Sequence, residues 1–358
     1  MLRWFAHPFT ALLMFTVDLS TSTVLAAPTC ARSDLAIAGF PLGGVAGRDW
    51  VITNYVDLDP GSPGVTDYAG GRGPAARTYD GHDGIDVDVP SFRDMDSDAA
   101  VVYAVAPGVV EEVIQDQPDR HLRCAGRWNL IAVRHANGFR VLYGHLKTGS
   151  ARVVAGQAVA AGAPLAVVGS SGCSTQPHLH LEVRDCGGAA VDTLAEPTLW
   201  IAPPPYDPAS GVLDLVVSPG AGLTVAQIKD PARDPAVIAA PTVLGVGLSA
   251  AVRGGDAVSV ALRSPRGRTT TRSFTIAPGA RFGHWYLGFT FLLAATPGTW
   301  TVAARINGAG ETSRHFDVPP PGVSPRPATA RAAPCSRRSS TTPAGGSRPR
   351  TARSRPAF

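Results

Sequence analysis

The stretch that decides the fold runs from Gly172 to Val183 and reads GCSTQPHLHLEV. In an extended strand, successive side chains point to opposite faces, so His178 and His180 share one face and the leucines beside them share the other. Two imidazoles about 7 Å apart on one strand face suit one metal ligand beside one catalytic group. The segment therefore predicts a strand with chemistry on one face and a hydrophobic core on the other.

Short β-rich runs separated by Gly, Asp and Asn lie around this strand, from residue 49 to about residue 198. Several alternate polar and apolar residues, and none contains ten residues of helical periodicity. The pattern predicts a domain built on an antiparallel sheet. The other runs are Val51–Val56, Val101–Val105, Val109–Ile114, Asn129–His135, Phe139–Tyr143 and Pro164–Val168.

A second set of β-rich runs follows a proline-rich linker at residues 201–210. Their length and spacing predict a smaller immunoglobulin-like β-sandwich over residues 211–318. His284 and His315 stand alone there and are interpreted as surface or packing residues. The predicted fold class is all-β throughout. The runs are Asp256–Leu262, Thr269–Ile276, His284–Phe291 and Thr299–Ile306.

Composition and charge narrow the class of protein. Of 358 residues, 44% are hydrophobic and 17% charged, which is typical of a chain that buries real cores. The net charge of +4 comes from 32 basic and 28 acidic residues, but residues 319–358 hold eight arginines and no acid. Residues 1–318 are therefore at −4, which argues against a core that binds nucleic acid. The arginine-rich tail is predicted to be disordered, and whether it is native or frameshifted stays open.

The N-terminus resembles a secretory signal peptide at residues 1–26. Arg3 supplies its positive charge, Phe9–Val17 is apolar but too short to span a bilayer, and Ala26 ends a plausible cleavage site. A retained anchor is the alternative. A segment at residues 27–48 follows, and no later stretch has the roughly 20 apolar residues of a membrane helix. We therefore expect an exported protein, periplasmic or extracellular, with no membrane span after cleavage.

Five cysteines are consistent with an oxidising compartment. Cys173 and Cys186 flank the predicted strand, whose six residues span roughly 20 Å, well beyond the reach of a disulfide. Cys124 paired with one of these two is the better prediction. The partners of Cys30 and Cys335 stay open. No CxxC pair is present, so a cysteine zinc site is not indicated.

Two further histidine motifs occur in addition to the His178–His180 pair. The run DGHDGIDVDV places His82 four residues before Asp86, and the run VLYGHL ends a predicted strand with His145. Imidazole and carboxylate are donors that zinc takes. In a fully extended chain His82 and Asp86 would be roughly 13 Å apart, and Gly84 would allow a bend that brings them together. Together the three motifs predict one site assembled by a sheet.

Residues 77–186 resemble the zinc endopeptidases of the lysostaphin and LytM type, peptidase family M23. The resemblance rests on the motifs His-x-x-x-Asp, Tyr-x-His-Leu and Pro-His-Leu-His, and on the supporting runs VAPGVV and GQAVAAG. Gln176 stands where the family usually has glycine. The resemblance implies a LytM-type peptidase domain with an antiparallel β-sheet, over residues 49–200.

The resemblance also implies a mechanism. His82, Asp86 and His180 would hold one zinc ion, while His145 and His178 would assist proton transfer and stabilise the oxyanion, with their individual roles left open. The implied substrate is a peptide of peptidoglycan, cut at a cross-link or a bridge. A regulator without activity is the main rival, and the complete set of five residues disfavours it. The oligomeric state stays open.

Three points remain as hypotheses. Glu182 lies two residues after His180 and therefore on the same strand face, which is consistent with a hydrogen bond that supports His180 as a metal ligand. A loop such as residues 57–76 would make the enzyme latent if it covered the cleft. The predicted sandwich either binds wall polymer or acts as a spacer.

Overall fold

The computed structural model describes residues 35–61, 64–135, 138–220 and 222–322. The predicted signal peptide and all of the predicted tail beyond residue 322 lie outside these ranges. In the described part of the chain, eighteen strands and two one-turn α-helices form the regular structure, joined by two short 3₁₀ turns. None of the described helices is long and apolar enough to cross a membrane. The described residues are therefore mostly β, in line with the predicted class.

The first eleven strands and one helix precede the proline-rich segment. In chain order they are β1 (Val51–Asn54), β2 (Gly84–Asp88), α1 (Phe92–Asp96), β3 (Val101–Tyr103), β4 (Gly108–Ile114), β5 (Arg123–Cys124), β6 (Leu130–His135), β7 (Arg140–Gly144), β8 (Ala158–Val159), β9 (Pro164–Val167), β10 (Cys173–Ser174) and β11 (His178–Arg184). Most predicted runs are confirmed with ends shifted by one or two residues. The two-residue strands β5, β8 and β10 are too short to give a periodic signal.

Seven of these strands form one antiparallel sheet in the order β1-β2-β11-β7-β6-β4-β8. Its apolar face packs on the main core, to which Ile131, Val133, Tyr143, Leu179 and Leu181 contribute buried side chains. The leucines of β11 thus point into the core, as the alternation predicted. His178 and His180, which alternate with these leucines, lie on the opposite face of the sheet.

β3 pairs with β9 and β5 with β10 in two small sheets, and the seven strands after the proline-rich segment form two further antiparallel sheets, which we call the C-terminal sheets. In chain order the elements are β12 (Gly211–Pro219), α2 (Val225–Lys229), β13 (Thr242–Val252), β14 (Ala257–Arg263), β15 (Thr269–Thr275), β16 (Gly283–Leu293), β17 (Gly298–Ile306) and β18 (Ala309–Val318). One sheet has the order β12-β13-β16 and the other β15-β14-β17-β18. Residues of both share one core, among them Leu215, Val246, Val260, Trp300 and Phe316.

The C-terminal sheets are docked against the seven-stranded sheet. Val51 of β1 is buried together with Ala251 of β13 and with Phe282. Arg93, in α1, forms an ion pair with Asp234 at 2.9 Å. Apolar and ionic contacts together fix the C-terminal sheets beside β1 and β2.

A disulfide joins Cys124 of β5 to Cys173 of β10. The sequence-based prediction that Cys124 pairs with one of the two later cysteines is therefore confirmed. Cys186 is disulfide-bonded as well. The Cys124–Cys173 bond ties the segment before β6 to the loop that leads into β11.

Candidate metal centre

Three neighbouring strands bring the predicted site residues together. In the sheet, β11 lies between β2 and β7, and His180 is directly opposite Asp86 on one side and Gly144 on the other. His178 lies two residues earlier on the same face of β11, and His145 follows β7 directly. Residues nearly 100 positions apart in sequence therefore meet because of strand register.

The three candidate ligands converge on one point. His82 Nε2 lies 3.2 Å from both Asp86 Oδ1 and His180 Nδ1, and the last two atoms are 2.9 Å apart. All three residues are buried. A tetrahedral zinc ion with ligand distances of about 2.1 Å separates its donors by roughly 3.4 Å. The donor set and its spacing therefore fit zinc, with a fourth position left for water or substrate.

A turn comes directly before His82, in which the His82 backbone N–H donates to the Tyr79 carbonyl oxygen at 3.1 Å. Gly81 has a left-handed φ of 73°, a conformation that glycine adopts at low cost. Gly84 instead begins β2, and a Cβ there would be 2.7 Å from His180 Nε2. Gly84 is therefore required for the close approach of His180.

In each candidate ligand, the second polar side-chain atom, which is not the candidate metal donor, contacts a neighbouring group. Such partners fix the ring orientation and tautomer of a metal ligand. The sequence reasoning found only Glu182, because the others reach the site through backbone atoms or from the sheet edge. The contacts are His82 Nδ1 to the Tyr55 carbonyl oxygen at 2.7 Å, Asp86 Oδ2 to Asn54 Nδ2 at 3.0 Å, and His180 Nε2 to Glu182 Oε2 at 3.4 Å.

The electrostatics of the centre favour a cation. Burial opposes ionisation of Asp86, but hydrogen bonds from His180 and His82 outweigh it and hold its pKa well below the usual value. Burial likewise opposes the charged form of His180, while Asp86 and Glu182 raise the pKa of His180 to about 9. Two carboxylates thus place negative charge around the point where the donors meet.

His145 and His178 lie side by side next to this centre, with ring centroids 4.3 Å apart. His145 Nδ1 is 2.6 Å from the Ser171 carbonyl oxygen, and His178 Nδ1 is 2.9 Å from the Gln176 carbonyl oxygen. A carbonyl only accepts, so each Nδ1 donates and each Nε2 is left as the acceptor in the neutral ring. Burial, followed by the nearby His178, holds the pKa of His145 well below its usual value. His145 is thus a neutral base at neutral pH.

The backbone at His145 supports this placement. Its φ of 58° is in the left-handed region, which is uncommon for a residue other than glycine. Gly169 donates its backbone N–H to the His145 carbonyl oxygen at 3.0 Å. That bond and the one to Ser171 stabilise a turn that directs the imidazole toward the centre.

Trp128 forms a wall of the site that sequence reasoning missed. Its ring centroid is 5.1 Å from that of His145 and 5.5 Å from that of His180. A Cβ at Gly144 would be 2.5 Å from the indole ring, so glycine there makes room for it. A single tryptophan in a turn gives no sequence signal for such a role.

A cleft of about 190 Å³ opens beside the candidate centre. Polar side chains from four segments line it, which suits a peptide rather than an apolar ligand. The lining residues are Thr53, Asn54, Tyr79, Asp86, Asp88, Cys173, Ser174, Thr175, Gln176 and His178.

Three converging protein donors with two histidines beside them form a candidate metal centre of the kind that metal-dependent hydrolases use. Residues 80–193, which contain all five site residues, match the sequence profile of peptidase family M23. This stretch of the chain is accordingly similar to the metallopeptidases of family M23.

Individual relatives match the same region. The DD-carboxypeptidase/endopeptidase Mpg of Neisseria meningitidis serogroup B is 37% identical over 111 residues, which is 31% of this chain and 22% of that protein. An uncharacterized metalloprotease of Haemophilus influenzae is 32% identical over 123 residues, 34% of this chain and again 22% of the relative. The chain thus spans about a fifth of the length of these relatives.

Among solved structures, a zinc containing peptidase from Vibrio cholerae is 23% identical. The similarity covers 48% of this chain and 41% of that one, with a TM-score of 0.30.

Proposed function

We propose that this protein is a zinc-dependent endopeptidase that hydrolyses peptide bonds in peptidoglycan, at a cross-link or a bridge. The observation that carries the proposal is the convergence of His82, Asp86 and His180, with His145 and His178 beside them, inside a domain of family M23. The relative named as a DD-carboxypeptidase/endopeptidase supports a wall peptide as the substrate.

His82, Asp86 and His180 would hold one zinc ion per chain. Bound zinc polarises a scissile carbonyl and lowers the pKa of water. One of the two Nε2 atoms would accept a proton from the attacking water, and a protonated Nε2 would donate a hydrogen bond to the negatively charged carbonyl oxygen, with the division of roles between His145 and His178 left open. Their Nδ1 hydrogen bonds to backbone carbonyls hold both rings in that orientation.

We further propose that the protein acts outside the cytoplasm, in the periplasm or beyond the cell. The disulfide between Cys124 and Cys173 is consistent with an oxidising compartment. We retain the division into a peptidase domain at residues 49–200 and an immunoglobulin-like sandwich at residues 211–318 as part of the proposal. The two C-terminal sheets and their shared core support it.

The test is mass spectrometry of fragments that the zinc-loaded protein releases from purified peptidoglycan. New peptide termini that are absent with His178→Ala would support the proposal and would identify the bond. Zinc content, measured in parallel, is expected to be one per chain in both proteins. If no peptide is released while zinc is bound, the proposed activity is wrong and the regulatory role becomes the better explanation.

A further inference from the structure

The orientation of His178 depends on the short loop that precedes it. His178 Nδ1 is 2.9 Å from the Gln176 carbonyl oxygen and 3.2 Å from Ser174 Oγ, both in residues 174–177, which we call the cleft loop. Thr175 and Gln176 of this loop line the cleft. A displacement of the loop would therefore move the imidazole and the cleft wall together.

The C-terminal sheets hold this loop directly. Tyr286, on β16, donates its hydroxyl hydrogen to Gln176 Oε1 at 3.2 Å. Lys229, the last residue of α2, donates from Nζ to the Thr175 carbonyl oxygen at 3.0 Å. The Lys229 ammonium also lies 5.0 Å from the Tyr286 ring centroid, so the two contacts support each other.

The other end of the Gln176 amide is held as well. Gln176 Nε2 donates to Asp88 Oδ2. Asp88, which is directly opposite His178 in the register of β2 and β11, is 1% exposed. His284 Nδ1 of β16 lies 2.9 Å from the same Asp88 oxygen. The side chain of Gln176 is thus held between a tyrosine of the C-terminal sheets and a carboxylate that those sheets also contact.

The C-terminal sheets are a fixed support for these contacts. His284 Nε2 lies 2.6 Å from Ser249 Oγ, and the Ser249 hydroxyl donates to the Pro90 carbonyl oxygen at 2.9 Å. Ser91 Oγ donates to Asp214 Oδ2 at 3.1 Å. The segment that follows β2 is therefore anchored to β12 and β13 close to the point where β16 reaches Asp88.

We propose that Tyr286 and Lys229 are positioning residues, which place His178 for catalysis by holding the cleft loop. The proposal rests on the proposed peptidase function for its kinetic consequences. In this proposal the C-terminal sheets contribute to catalysis, because they hold one wall of the substrate cleft in place.

The first test compares Tyr286→Phe with wild type in the zinc-loaded full chain, on a soluble cross-linked peptide fragment of peptidoglycan. Loss of one neutral hydrogen bond that orients a reacting group should lower kcat about fivefold, with KM within twofold. Tyr206→Phe is the matched control, because the Tyr206 hydroxyl also donates to a side chain, Asp67 at 2.8 Å, outside the cleft lining. It should keep the wild-type kcat.

A double-mutant cycle tests the route through the loop. Once Gln176→Ala has removed the amide, Tyr286→Phe should cause less than a twofold further loss of kcat. Equal losses in both backgrounds would show that Tyr286 does not act through Gln176 and would overturn the proposal. A raised KM with unchanged kcat in Tyr286→Phe would also overturn it, because that result indicates contact with substrate.

Lys229→Met tests the second contact, and Lys147→Met is its control. Lys147 also donates to a backbone carbonyl oxygen, that of Met95 at 2.9 Å. We expect a severalfold loss of kcat for Lys229→Met and no loss for Lys147→Met. Equal kcat values in the two variants would contradict a positioning role for Lys229.

A readout independent of activity separates failure of this proposal from failure of the proposed function. In ¹⁵N-histidine NMR of the zinc-loaded chain, with His178→Ala for assignment, the Hδ1 proton of His178 should exchange slowly in wild type and Tyr206→Phe. It should exchange at least tenfold faster in Tyr286→Phe. If wild type shows no cleavage and this difference in exchange rate is still observed, the positioning of His178 by Tyr286 is supported and the proposed peptidase function is wrong. Identical exchange in all three proteins would overturn the positioning.

Discussion

Replacing Glu182 with Gln should weaken zinc binding without unfolding the protein. Glu182 is 4% exposed, and its Oε2 lies 3.4 Å from the outer nitrogen of His180. Burial opposes its ionisation, but His180 and Arg184 outweigh burial and lower the pKa of Glu182, so it is a carboxylate at neutral pH. Glutamine has nearly the same shape as glutamate but carries no charge. Loss of such a partner behind a ligand weakens metal binding about 10- to 100-fold, or about 1.4 to 2.7 kcal/mol.

The assay is competition for zinc against a chromogenic chelator at pH 7.5. Glu112→Gln is the control, since Glu112 also pairs with an arginine, Arg140 at 3.0 Å, on the same sheet but away from the ligands. Its zinc affinity should equal that of wild type. Equal affinities for Glu182→Gln and wild type would refute the view that this carboxylate supports His180.

Three further predictions concern activity and stability. His145→Ala should abolish cleavage but keep one zinc per chain by elemental analysis; loss of the metal would instead make His145 a ligand. Replacing both Cys124 and Cys173 with Ser should lower the free energy of unfolding, measured in urea, by about 4 kcal/mol, given their sequence separation of 49; an unchanged midpoint would contradict this. Burial, then the charge of Asp214, raises the pKa of Asp94 to about 6. A carboxyl group whose pKa is raised by folding destabilises the folded state once it is ionised. Asp94→Asn should therefore increase the free energy of unfolding at pH 7.5, by at most about 3 kcal/mol, and raise Tm, but should give no gain at pH 3.5. An equal gain at both pH values would contradict that assignment.

The sequence predicted the candidate centre well because its residues lie in strands with strict alternation. His178 and His180 can be placed on one face from periodicity alone, and the core positions of Leu179 and Leu181 confirm it. The resemblance to family M23 then indicated which distant motifs meet. The sequence does not distinguish a glycine needed for its φ from one needed for close packing, and the structure shows that Gly84 leaves room for His180.

The role of the C-terminal sheets could not be predicted. His284 was interpreted as a surface or packing residue, yet its ring lies 2.9 Å from Asp88 beside the cleft. Gln176 was recognised as a departure from the family pattern, but its partner Tyr286 is 110 residues away. Contacts between strands of different sheets depend on how the sheets pack together, and local periodicity in the sequence does not encode that packing.

The register of β2 and β11 also bears on how this protein can be engineered. All three candidate ligands lie on or just before two paired strands, with His180 opposite Asp86, although almost 90 residues separate the strands in sequence. A reporter sequence inserted at a surface turn in that interval, such as the one at Gly149, leaves the pairing intact. Deleting a single residue inside β2 would turn Asp86 to the opposite face and remove the ligand set in one step.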